Sequence, residues 1–111
     1  MWGMARMDRS GRLSVRPMLT HLGWRPGDRV TVDVVHRMVV VVAGAGRHAL
    51  GCRGDLALPV AVRQLCGIDP HEPVIVAAYP ARNMMVIQPL DPVTALLTEF
   101  HTHLVGDRHA R

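Results

Sequence analysis

The chain has 111 residues, 49% of them hydrophobic but only 4% aromatic, and carries a net charge of +4. This is material for one domain whose core must be built from Val, Leu, Met and Ala, so a roomy small-molecule site is not expected. No run approaches the roughly 20 apolar residues that cross a bilayer, and the first six residues lack the apolar centre of a secretory signal, so the expectation is a cytoplasmic protein with no membrane partner. The charge is uneven: through Arg53 there are nine arginines against three acids, and thereafter four arginines against six acids. A basic surface confined to the N-terminal portion is what contact with a polyanion requires. The absence of lysine accounts for the choice of arginine but not for its placement.

Residues 3 to 8 read as a short strand entering the polar turn Arg9-Ser10-Gly11, after which Arg12 to Val15 alternates as a half-buried strand does. Pro17 suits a first helical turn, and Met18, Leu19 and Leu22 give a one-sided helix of at most two turns ending at Gly23. Arg25-Pro26-Gly27-Asp28 is turn chemistry that feeds a valine hairpin, Val30 to Val35 and Met38 to Val42, folded about His36-Arg37. Beyond the small link Ala43-Gly44-Ala45-Gly46 the order recurs. Arg47 to Leu50 reads as strand, Gly51-Cys52-Arg53-Gly54 as turn, Leu56 and Leu58 as strand, and Val60 to Cys66 as short helix. Gly67-Ile68-Asp69-Pro70 then leads into Val74 to Ala77 and Met84 to Ile87, joined through Pro80-Ala81-Arg82-Asn83. The chain therefore divides into two β-β-α-β-β units, residues 3–43 and 47–89. Each is close to the lower size limit for independent folding, so the two should share one core.

The C-terminal segment, residues 91–106, has no counterpart after the first unit. Asp91 is a suitable N-cap, Pro92 fits the first turn, and Val93, Leu96, Leu97, Phe100 and Leu104 fall on one side of an amphipathic helix over residues 92 to 105. Such a helix can pack over the rest of the fold, pair with its copy in a homodimer, or dock a second protein.

Catalytic signatures are missing. Cys52 and Cys66 are expected as free thiols, the first in a loop and the second in the core. His101 and His103 point to different faces of a helix and, with His109, make a poor chelate. There is no P-loop, nucleotide-binding glycine fingerprint or nucleophile elbow, and Cys52 near His48 lacks a third group to orient the pair. The expectation is a non-enzyme without metal or cofactor.

The order Asp8-Arg9-Ser10-Gly11-Arg12-Leu13, then Leu22-Gly23, then Pro26-Gly27-Asp28 and valine-rich hairpin strands resembles the AbrB/MazE/SpoVT swapped-hairpin family. The resemblance covers residues 3 to 43 and returns over 47 to 88. It implies a mainly β fold with short helices, in which the two units interlock as a swapped-hairpin β-barrel whose basic loops lie against double-stranded DNA. The two-copy MraZ branch of that superfamily is longer and carries an Asp/Arg motif absent here.

Carried over by position, Arg6 matches the basic residue of the first strand and Arg12 the arginine after the turn glycine, with Arg9 inside the turn. The first helix is one residue short, and Thr20-His21 stand where basic residues are usual, a loss for which Arg16 can compensate. In the second copy Asp55 replaces the expected arginine and Gly51 the expected aspartate, which leaves Arg47, His48, Arg53 and Arg63 as that half's candidates. The resemblance implies a nucleoid-associated, sequence-preferring transcriptional regulator. Two rivals stand beside it. One is an antitoxin that binds its promoter and neutralises a toxin, against which the short basic-ended C-terminal segment counts. The other is a barrel that has lost DNA binding and acts as a protein scaffold, a reading that Asp55 supports.

Overall fold

Valine-rich alternation builds most of the backbone, and the glycine and proline turns set where it reverses. The computed structural model describes residues 1–90. Within them the chain runs β1 (Trp2–Arg6), β2 (Arg12–Ser14), α1 (Arg16–Leu22), β3 (Arg29–Val35), β4 (Met38–Ala43), β5 (His48–Ala49), β6 (Asp55–Ala57), α2 (Val60–Cys66), β7 (Pro73–Tyr79) and β8 (Met84–Pro89). The helix expected over residues 92 to 105 lies outside the described residues.

Both helices are seven residues long and stop in the same way. Gly23 and Gly67 adopt left-handed conformations, φ 74° and 67°, that a Cβ disfavours. The amides that follow then fold back on the last turn: Trp24 N–H donates to Leu19 O at 2.9 Å and Ile68 N–H to Arg63 O at 2.9 Å. The β3–β4 hairpin turns on His36 and Arg37, both at positive φ, which gives the two-residue turn whose twist matches the flanking strands.

The strands form one six-stranded antiparallel sheet in the order β1-β7-β8-β4-β3-β5, with β2 and β6 as a separate two-stranded ribbon. Two hairpins, β3–β4 and β7–β8, meet through β4 and β8 at the centre. Each hairpin receives its outer strand from the other half of the sequence. β1 pairs with β7, setting Trp2 opposite Ala77 and Arg6 opposite Pro73, while β5 pairs with β3, setting His48 opposite Val30. A side-chain link between the halves is the Trp24 indole, whose Nε1–H donates to Asn83 Oδ1 at 2.6 Å.

One face of the sheet carries the core. Val30, Val39, Val41, Val74, Val76, Met85 and Ile87 are buried there together with Leu13 and Leu56, which face each other across the ribbon. Met18 and Leu19 of α1 and Cys66 of α2 complete it. Each side chain buried in this way is worth roughly 1.5–3 kcal/mol of transfer free energy.

The closed barrel implied by the resemblance is not formed: the sheet is open, with β1 and β5 at its edges. Two features account for this. The ribbon stands apart from the sheet, and β5 is only two residues long where residues 47–50 were expected as strand. The link that enters β5 must pass from the β4 side of β3 to its other side, since Ala43 and His48 both lie opposite Val30. It makes that crossing so closely that a Cβ at Gly46 would overlap the Val30 carbonyl. Gly46→Val is therefore expected to destabilise the fold by about 1–3 kcal/mol, the usual range for overpacking, read as a lower urea midpoint at unchanged slope. An unchanged midpoint would mean that the link does not cross there.

Candidate nucleic-acid interface

The two turns preceding the ribbon share a backbone frame. Gly11 N–H donates to Asp8 O and Gly54 N–H to Gly51 O, both at 3.1 Å, while Asp8 N–H donates to Arg12 O and Gly51 N–H to Asp55 O. Gly11 and Gly54 supply the positive φ, 82° and 75°, that closes each turn.

Their carboxylates enter from opposite ends. In the first turn Asp8 Oδ1 accepts hydrogen bonds from Ser10 Oγ at 2.6 Å, Ser10 N at 2.9 Å and Arg12 N at 3.0 Å. These donors, the Ser10 hydroxyl first, hold the Asp8 carboxyl below its ordinary range. In the second turn Gly51 stands where Asp8 does, and a Cβ there would overlap the Asp55 carboxylate. Asp55 is held below its ordinary range first by Arg12, then by the amides of Asp55 itself and Arg53, which are the counterparts of the Arg12 and Ser10 amides. The second turn thus keeps a carboxylate over its amides but draws it from the strand that follows.

That carboxylate also meets Arg12. Arg12 Nη1 donates to Asp55 Oδ2 at 2.6 Å, with the arginine side chain 52% exposed and the aspartate 17% exposed. The pair lies diagonally across the ribbon, in which Arg12 is opposite Ala57 and Asp55 opposite Ser14, and it raises the Arg12 guanidinium above its ordinary value.

Arg6, Arg12 and Arg53 line one open groove of about 270 Å³, together with Asp8, Ser14 and Asp55. Arg6 Nη1 also donates to His71 O at 2.8 Å, which fixes its head beside the loop before β7. Arg9 is exposed in the adjoining turn. The remaining candidates do not line this groove. Arg16 is exposed at the start of α1, and its stem packs on Gly54. Arg63 is half-buried against Gly11 and donates from Nε to Leu58 O at 3.1 Å, so part of its donor capacity is already spent on the fold. Arg47 lies elsewhere, lining a second depression with Thr31, Asp33 and His48 beside β3. Cys52 is exposed and Cys66 buried, as their loop and core placement required, and burial pushes the Cys66 thiol up.

The role of Asp55 was only half legible in the sequence. Gly51 and Asp55 stand out as two departures from the turn pattern, but that one makes room for the other appears only when the carboxylate is seen over the turn. No protein-family model, curated protein or solved structure matches the chain.

The lowered Asp55 carboxyl carries a pH signature. Its contribution to stability is complete above the unfolded value near about 4 and is lost as pH falls through the lower folded value. Asp55→Asn should therefore flatten the acid limb of the stability profile, measured as urea midpoints between about pH 2.5 and 6. Gly51→Ala should reproduce the flattening by displacing the carboxylate, and parallel wild-type and mutant profiles would refute the coupling.

Proposed function

We propose that the protein binds double-stranded DNA as a regulator of the AbrB-like type, with two tandem swapped-hairpin units in one chain. The observation that carries the reading is the convergence of Arg6, Arg12 and Arg53 on one open groove beside the Arg9 turn. Two further features support it. The exchanged outer strands are what interlocked hairpins require, and Arg6, Arg9, Arg12 and Arg53, four of the nine arginines through Arg53, fall in or beside the groove.

Guanidinium groups on tight turns suit the task. They make bidentate bonds to phosphate and, where they reach the major groove, to guanine, and their short turns hold them at little cost in ordering. Arg9 and Arg53 are the freest to act, since Arg12 shares its charge with Asp55 and Arg6 donates to the His71 carbonyl. Most of the affinity would come from phosphate neutralisation and fall steeply with salt.

The scaffold reading has one observation in its favour, the Arg12–Asp55 pair that quenches the arginine best matched to the family turn. A salt series of binding to random duplex DNA separates the two. Wild type should bind at low salt, and the slope of log affinity against log salt should fall by about one for each phosphate contact removed in Arg6→Ala, Arg9→Ala/Arg12→Ala and Arg53→Ala. Asp55→Asn should bind more tightly than wild type, because it releases Arg12. Arg47→Ala, outside the groove, should leave the slope unchanged. Absence of binding at low salt, or indifference to all the arginine changes, favours the scaffold.

A further inference from the structure

The core occupies one face of the six-stranded sheet, yet the opposite face is also apolar. Register places Trp2, Ala77, Val86 and Val40 in a row across four strands, with Tyr79, Met84 and Val42 in the adjoining row. Polar residues appear only at the margin: Asp33 and Thr31 continue those rows onto β3, and Gln88 and Arg6 lie toward one end. Trp2 is 67% exposed, Met4 58% and Tyr79 47%. Strands with a solvated face ordinarily alternate with polar residues, whereas the runs Val39-Val40-Val41-Val42 and Val74-Ile75-Val76-Ala77 are those of strands covered on both faces. Contiguous apolar patches of this kind mark a surface that something else occupies.

Chain connectivity points to the occupant. Residues 91 to 111 leave the sheet from β8, third of its six strands, and Leu90 immediately after Pro89 already has helical backbone. Only Leu90 and Asp91 separate the strand from the segment whose sequence reads as helical, and so short a link returns a helix over the sheet it has just left. The core face is filled by α1, α2 and the ribbon, which leaves the outer one. The stripe from Val93 to Leu104 would span about 17 Å at helical rise, close to the length of the six-residue strand β8 at about 3.3 Å per residue. It also holds the chain's single phenylalanine.

We infer that residues 93–104 dock their apolar stripe on the outer face of the sheet within the same chain, forming a second hydrophobic layer. A helix that folds back over β8 brings Leu97 above Val86, because about three strand residues and about seven helical residues cover the same distance. Thr102, about 180° around the helix from the centre of the stripe, faces away.

Disulfide trapping in the full-length chain, in a Cys52→Ser background, tests this. Leu97→Cys/Val86→Cys should oxidise to an intramolecular bridge in dilute protein of monomeric mass, at least ~10-fold faster than Thr102→Cys/Val86→Cys, because bridging demands close Cα atoms and converging Cβ vectors. Phe100→Asp, which leaves the described core untouched, should raise binding of a hydrophobic dye several-fold. Bridges that form only between chains would overturn the inference and make a second copy the occupant. Equal rates at positions 97 and 102, or no bridge at either, would overturn it by showing that no ordered helix covers the face. None of these outcomes depends on DNA.

Discussion

The exchange of outer strands between the two halves is the constraint from which the rest of the structure follows. Without β1 the β7–β8 hairpin would expose the backbone edge of β7, and without β5 the start of β3 would be bare. An unpaired edge is a template for aggregation as well as a loss of hydrogen bonds, so neither half is a plausible folding unit by itself. The link also has a kinetic side. Trp2 meets Ala77 across 75 residues of chain, and contacts of that span form only after a large loop has closed. The local hairpins are the natural early structures, with β1 docking late.

Joining the halves through a short link then makes them unequal. β1 covers five residues of β7. β5 arrives from a four-residue crossing over the Val30 backbone and covers two residues of β3. The glycine at position 46 is the steric condition for that crossing, and the open edge of β3 beyond Val30 is its consequence. An open sheet rather than a closed barrel is thus the outcome of a connection too short to let both exchanged strands run to full length.

Much of this was legible in the residues. Valine-rich runs entered by Pro26-Gly27-Asp28 and folded about His36-Arg37, and apolar runs joined through Pro80 to Asn83, locate both hairpins, and the sequence places the helix Val60 to Cys66 with its observed ends, because turn chemistry and the helix-ending glycines act locally. What escaped is non-local. No propensity indicates that β5 will be cut short by a crossing, or that Arg63 will lie half-buried on Gly11 rather than extend toward a ligand. The unbroken apolar runs of β4 and β7 did contain a signal for two covered faces, but a run of that length fits a central strand of any kind until its neighbours are known.

The candidate interface draws its asymmetry from the same source. Arginine at both positions 12 and 55, which lie diagonally across the ribbon, would make a like-charge pair. A single chain is free to differ between its halves, and here aspartate takes one of the places. That substitution removes the repulsion, supplies the second turn with the carboxylate that Gly51 does not provide, and leaves Arg12 neutralised in the absence of a partner. Any phosphate brought to Arg12 would have to compete with a carboxylate already 2.6 Å away. Arg6 and Arg53 have no acidic side chain bonded to them among the described residues. Their placement beside one turn of each half makes the groove a joint product of the two halves of the chain.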